Sequence, residues 1–123
     1  MEIIAIAIGG AFGAVARYWL TELASMMFGS EFPYGTLIVN VLGSLCLGFV
    51  FVLLIERALI GPLWRSAVIV GFLGAFTTFS TFSLQALDLI QQERFLAGGS
   101  YIFGSVIASL VAVGAGMLLA KQI

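Results

Sequence analysis

Three stretches of the chain contain no Asp, Glu, Lys or Arg: residues 32–55, 66–87 and 95–120. Each meets the roughly 20 apolar residues that a helix needs to cross the hydrocarbon core of a bilayer. A fourth apolar run, residues 3–16, is interrupted by Arg17 and resumes through Tyr18, Trp19 and Leu20. Arg17 is expected to extend its charged head toward the interface near the end of that span. The pattern predicts four transmembrane helices. Their short connections are marked by Glu22 and Glu31, by Glu56, Arg57 and Arg65, and by Asp88, Glu93 and Arg94. The spans occupy residues 1–123 as a single four-helix transmembrane domain, with no room for a soluble one. Tyr18, Trp19, Tyr34 and Trp64 fall near predicted span ends, where aromatic rings favour the headgroup region. Pro33 and Pro62 fall in connections, where a missing N–H costs little.

Composition narrows the chemistry. Of the 123 residues, 62% are hydrophobic and 9% charged, against about 45–50% and about 25% in soluble domains. Five basic and six acidic side chains give a net charge of −1, which leaves no basic excess for a nucleic-acid partner. With no histidine and one cysteine, zinc clusters, Ser-His-Asp and Cys-His nucleophile systems and a disulfide within one chain are all excluded. Cys46, deep in an apolar run, is expected to be a small buried hydrophobe. The chain opens Met-Glu rather than with a basic stretch, so a cleaved signal is not expected. Small residues four apart (Gly9 and Gly13, Ser44 and Gly48, then Ala108, Ala112 and Gly116) predict close helix packing. Arg57, Arg65 and Lys121 fall on one side of the membrane, Arg17 and Arg94 on the other. That bias is too small to select an orientation. Either the charge signal is simply weak, or the chain inserts both ways, which would permit an antiparallel homodimer.

Polar residues inside the apolar spans are the candidate functional groups. Thr36, Asn40 and Ser44 share a helix face at four-residue spacing, as do Tyr101, Ser105 and Ser109. Asn40 is either an interhelical hydrogen-bonding group or part of a polar path, and its sequence context leaves both open. The segment 71–83 carries two glycines and five hydroxyl side chains interleaved with Phe76, Phe79 and Phe82. Such density predicts a break in the third span, which a membrane tolerates only where freed peptide groups face protein, water or an ion. The three phenylalanines, three residues apart, are expected to stack on one side. Uncharged donors and ring edges without buried charge suit a small anion in passive transit, since conduction requires binding weak enough to allow exit. A proton-coupled carrier is expected to hold an intramembrane carboxylate, and none falls within a predicted span core.

Three segments then carry a resemblance that extends over the whole chain. They are Gly9-Gly10-Ala11-Phe12-Gly13-Ala14-Val15-Ala16-Arg17-Tyr18, Gly35-Thr36-Leu37-Ile38-Val39-Asn40 and Thr77-Thr78-Phe79-Ser80-Thr81-Phe82-Ser83. With these motifs the sequence resembles the Fluc (CrcB) family of fluoride channels. The resemblance implies an all-α membrane protein with a broken third helix, assembled as a dual-topology, antiparallel homodimer with two pores. It implies passive export of cytoplasmic fluoride across the bacterial plasma (inner) membrane, with fluoride, lipid and a second copy as partners. Phe79 and Phe82 would present ring edges to the ion, and Asn40 its amide. Tyr101, Ser105 and Ser109 would form a hydroxyl track, and Arg17 would line a vestibule. Thr36 and Thr81 are further polar pore positions. Backbone carbonyls of Gly74 and Thr77 from both copies would hold a structural sodium ion. Two departures stand out: Ala75 replaces a frequent second glycine, and Gln85 replaces a common acidic residue, removing a possible entrance charge. Two other readings compete. One is a small proton-coupled multidrug transporter, for which Glu2 and Glu22 lie too near the span ends. The other is a non-conducting membrane assembly subunit in which the polar rows only join helices.

Overall fold

In the computed structural model, which describes residues 1–123, the chain is helical and contains no strand. Four helices are long and apolar enough to cross a membrane: span 1 (Glu2–Phe28), span 2 (Tyr34–Glu56), span 3 (Pro62–Gln91) and span 4 (Phe95–Lys121). The helices outrun the uncharged stretches. Span 1 continues through Glu22 to Phe28 and stops at Gly29, whose φ of 81° is available to glycine at low cost. Pro62 opens span 3 rather than preceding it, and Asp88 lies in its last turns, accepting from Gln92 Nε2 at 2.7 Å. Charge marks where the chain leaves hydrocarbon, and a helix can carry on beyond that depth.

Lipid supplies no hydrophobic force between helices, so contact quality decides how they pair. Spans 2 and 4 lock at two glycines. A Cβ at Gly48 would overlap the Val113 carbonyl, and one at Gly116 would overlap the Leu45 carbonyl. Span 1 meets the first half of span 3 in the same way, Gly9 lying against the Ala67 carbonyl and Gly13 against that of Phe72. At one end Ser66 Oγ donates to the Glu2 carboxylate, adding a polar tie between these two helices. The predicted small-residue stripes are therefore contact surfaces, with Ser44 an exception that turns to a cavity instead.

Cys46 is exposed on the surface of the chain, contrary to the expectation of burial. Asn40, Ser44 and Gly48 share the inward face, and a step of two residues rotates Cys46 about 200° away from it. An apolar run therefore does not imply an interior position.

Span 3 is broken. Its first half ends at Phe76, after a stretch of widened π-helical turns over Ser66–Leu73. Thr77 (φ −80°, ψ 158°) and Thr78 (φ −150°, ψ 118°) are extended, and the helix restarts over Phe79–Gln91. Thr78 caps the second half, its Oγ1 accepting from the Thr81 N–H at 3.2 Å. The second half packs on span 4 through Phe82, Ala86, Leu89 and Tyr101.

Candidate anion pathway

A break in a membrane helix strands peptide groups that hydrocarbon cannot satisfy. Asn40 meets that demand directly. Its Nδ2 donates to the Thr78 carbonyl at 2.9 Å, while its Oδ1 accepts from the Thr78 N–H at 2.8 Å. The side-chain amide thus pairs with the extended backbone as a neighbouring strand would, and one N–H of Asn40 remains beyond this pair. The alternatives left open by its sequence context are therefore joined: Asn40 makes an interhelical bond and also lines a cavity.

Arg17 comes up to the break from span 1. Its guanidinium faces span 3, with Nη1 3.5 Å from the Thr77 carbonyl. Gly9, Gly13 and Arg17 lie at four-residue spacing, so the face that presses both glycines onto span 3 also delivers Arg17 to the break. Thr77 itself stays tied to the first half-helix, its Oγ1 donating to the Leu73 carbonyl at 3.0 Å.

Beside the break lies an inner cavity of about 260 Å³. Asn40, Ser44 and Leu47 line it from span 2, Thr77, Thr78, Phe79 and Phe82 from span 3, and Ser105, Val106 and Ser109 from span 4. No carboxylate or basic side chain is among them. The Ser105 hydroxyl is buried with no hydrogen-bond partner, a costly arrangement in an apolar surrounding. Phe79 and Phe82 meet with ring centroids 5.6 Å apart and planes tilted by 43°. Phe82 is buried, whereas Phe79 is 77% exposed.

A second, outer cavity of about 450 Å³ sits where spans 1 and 2 join and span 3 ends. Thr36, Gln85, Glu31, Asp88 and Arg94 contribute to its lining. Between the two cavities stands Tyr101, fully buried, its ring 5.1 Å from that of Phe82 and its hydroxyl donating to Gln85 Oε1 at 2.8 Å.

The predicted rows are therefore divided between compartments. Asn40, Ser44, Ser105 and Ser109 serve the inner cavity, Thr36 the outer one, and Tyr101 the wall between them. Thr81 lines neither cavity; it is exposed and accepts from the Thr78 hydroxyl at 3.0 Å. The expected stack of three phenylalanines is also cut. Phe76 stacks on Phe72, centroids 5.9 Å apart and planes within 8°, because the extended Thr77–Thr78 backbone resets the helical register before Phe79.

The sequence profile described as "CrcB-like protein, Camphor Resistance (CrcB)" matches residues 4–117. The chain belongs to the CrcB-like family. Relatives of this CrcB-like chain include the fluoride-specific ion channel FluC of Hahella chejuensis, 50% identical over 122 residues that cover 99% of this chain and 96% of that protein. The protein of the same description from Saccharophagus degradans is 43% identical, covering 98% of this chain and 90% of its own. The Methylococcus capsulatus FluC protein is 44% identical over all of this chain, which spans 54% of that longer relative.

The carbonyls assigned to sodium by resemblance differ in this CrcB-like chain. Gly74 is exposed, and no backbone hydrogen bond reaches its carbonyl, because the Thr78 N–H that would take it in a continuous helix goes to Asn40. An unpaired carbonyl on an exposed residue fits an oxygen-seeking cation. The Thr77 carbonyl is also free of backbone bonds but lies within reach of Arg17. One chain offers two such oxygens, fewer than a hard cation usually takes.

Two contributors were not foreseen in these roles. Arg94 Nη1 donates to the Glu31 carbonyl, tying the first and third connections together at the outer cavity. Gln85, three residues beyond Phe82 and so on the same helix face, is the partner of Tyr101. Helical spacing from Phe82 was the available signal.

Proposed function

We propose that the protein is a fluoride-selective passive channel of the bacterial plasma (inner) membrane, exporting cytoplasmic fluoride. The observation that carries this reading is the inner cavity: uncharged donors, an unpartnered buried Ser105 hydroxyl and two phenylalanines beside a broken helix. The name shared by its full-length relatives supplies the ion. A dehydrated anion beside Ser105 would receive that hydroxyl, with Ser44, Ser109 and the remaining Asn40 N–H as further donors. Phe79 and Phe82 would turn partially positive ring edges toward it. These neutral contacts hold without trapping, and an interior-negative potential drives the anion outward by about 2.3 kcal/mol per 100 mV. Proton-coupled exchange is the weaker reading, since no carboxylate lines the inner cavity and Glu2 is engaged by Ser66 at a helix end.

The working unit in this proposal is an antiparallel, dual-topology homodimer with two pores. Phe79, 77% exposed beside the inner cavity, supports a second copy as the missing wall. So does Gly74, exposed with an unclaimed carbonyl. Gly74 and Thr77 of both copies would together provide four backbone oxygens for a structural sodium ion, which would fix the two breaks against each other. Arg17 would then sit next to the cation site and contribute positive potential near the pathway.

The reading is tested by halide efflux from vesicles containing the purified protein. Fluoride is expected to leave and chloride to stay; equal passage of both refutes fluoride selectivity. Phe82→Ile is expected to cut fluoride flux by at least about tenfold while the protein stays folded. Replacement of sodium by a large organic cation is expected to lower the dimer's melting temperature, and an unchanged value would remove the ion from the proposal.

A further inference from the structure

Three contacts between span 1 and the first half of span 3 follow one spacing. Gly9 lies against the Ala67 carbonyl, Gly13 against that of Phe72, and Arg17 Nη1 is 3.5 Å from that of Thr77. Span 1 advances four residues at each step while span 3 advances five. Residues four apart in an α-helix lie one above the other, so Gly9, Gly13 and Arg17 share a face. Five apart do not: at about 100° per residue, such carbonyls point about 140° away from each other. The widened turns over Ser66–Leu73 remove the conflict. A turn closed by a five-residue bond returns every fifth carbonyl to the same side, and the Gly74 N–H does reach back to the Ile69 carbonyl. Depth is matched as well. An α-helix from Ala67 to Thr77 would rise about 15 Å, against about 12 Å from Gly9 to Arg17, and wider turns rise less per residue.

We propose that this stretch is a spacer for the pathway. The number of residues between Ala67 and Thr77, rather than the side chains of Val68, Ile69 and Val70, carries the break to Arg17. In its claim on flux the proposal rests on the fluoride-channel reading. Were the stretch α-helical, the third carbonyl facing span 1 would fall near Gly74, inside the first half-helix. Thr77 and Thr78 would then lie beyond Arg17 and off the level of Asn40, which holds Thr78 from span 2. The break is thus gripped by two neighbours, and the widened turns let one peptide segment satisfy both. The local sequence favours such turns, since three β-branched residues in a row crowd a narrow α-turn. None of the three is buried.

The test alters the residue count and the side chains separately. Deleting Val70, which is 58% exposed, is expected to lower fluoride efflux from vesicles at least about tenfold while the purified protein stays folded. The triple variant Val68→Ile, Ile69→Val, Val70→Ile keeps the count and is expected to retain flux within about twofold. Parental flux after the deletion overturns the proposal, as does an equal loss in the triple variant. If the deletion variant does not fold, an alanine inserted after Val70 takes its place with the same expectation. Failure of both to fold also counts against the proposal, because the stretch would then serve the fold and not the pathway. The parent protein in bilayers gives an independent reading by solid-state NMR. Nitrogen-15 at Gly74 is expected to be dephased more strongly by a carbon-13 carbonyl at Ile69 than by one at Val70; the reverse order, that of an α-helix, refutes the spacer. Absence of fluoride flux in the parent would instead overturn the channel reading and leave the NMR order as it is.

Discussion

Asn40→Leu is expected to abolish fluoride flux and to destabilise the fold by about 1–3 kcal/mol, because the buried Thr78 N–H loses its partner and the Thr78 carbonyl loses a second donor. Leucine matches asparagine in bulk but offers neither an oxygen to the Thr78 N–H nor a hydrogen to its carbonyl. Elsewhere in a membrane a lost polar bond is cheap, about 0.6 kcal/mol, since the freed group finds another partner. Thr78 is extended and precedes the helix, so no helical carbonyl is in position to replace Asn40 Oδ1 at its N–H. Asn40→Asp separates the two halves of the contact: it keeps an acceptor for the N–H and sets an oxygen against the carbonyl. It is expected to be no better than leucine. Denaturant unfolding in detergent, run beside vesicle efflux, checks both. A leucine variant with parental stability and flux would show that the break does not depend on this side chain.

The largest effect on stability alone is expected at the glycines joining spans 2 and 4. In Gly48→Val or Gly116→Val the new atoms meet backbone, not a side chain that could swing aside. The helices would have to separate, at a cost of about 3–5 kcal/mol. Even alanine at these sites is expected to reduce the monodisperse fraction recovered after extraction. Gly99→Ala, where nothing lies within 4 Å, is the control and is expected to be neutral within about 0.5 kcal/mol. Equal recovery of the Gly48, Gly116 and Gly99 variants would mean that this contact does not hold the pair together.

The spans and the break were legible because hydrocarbon imposes them: long uncharged runs must cross it, and glycines crowded with hydroxyls do not sustain a continuous helix. The glycine stripes were legible for the same reason, since only small residues let backbones touch. Direction was harder to read. Hydropathy places Arg17 at a depth but not on a face, and the neighbouring glycines that fix its face act only once span 3 is beside them. The phenylalanine spacing implied a stack only while the helix was imagined unbroken; two extended residues reassign Phe76 to Phe72. Cys46 shows the converse problem, as an apolar neighbourhood in sequence does not fix burial within the chain. Among the candidate site residues, Asn40, Ser105, Ser109, Phe79 and Phe82 converge on one cavity, while Thr36 and Tyr101 belong to its approach. Thr81 is drawn off by the cap at Thr78.

The clasp on the broken helix also bears on how the chain is made. Residues 62–76 and 79–91 form two short rods, each below the roughly 20 residues needed to traverse the bilayer alone. Synthesis runs from the amino end, so Asn40 is threaded before Thr78 leaves the ribosome. The bare peptide therefore emerges to find its counterpart already waiting, and the order of segments along the gene doubles as an assembly schedule.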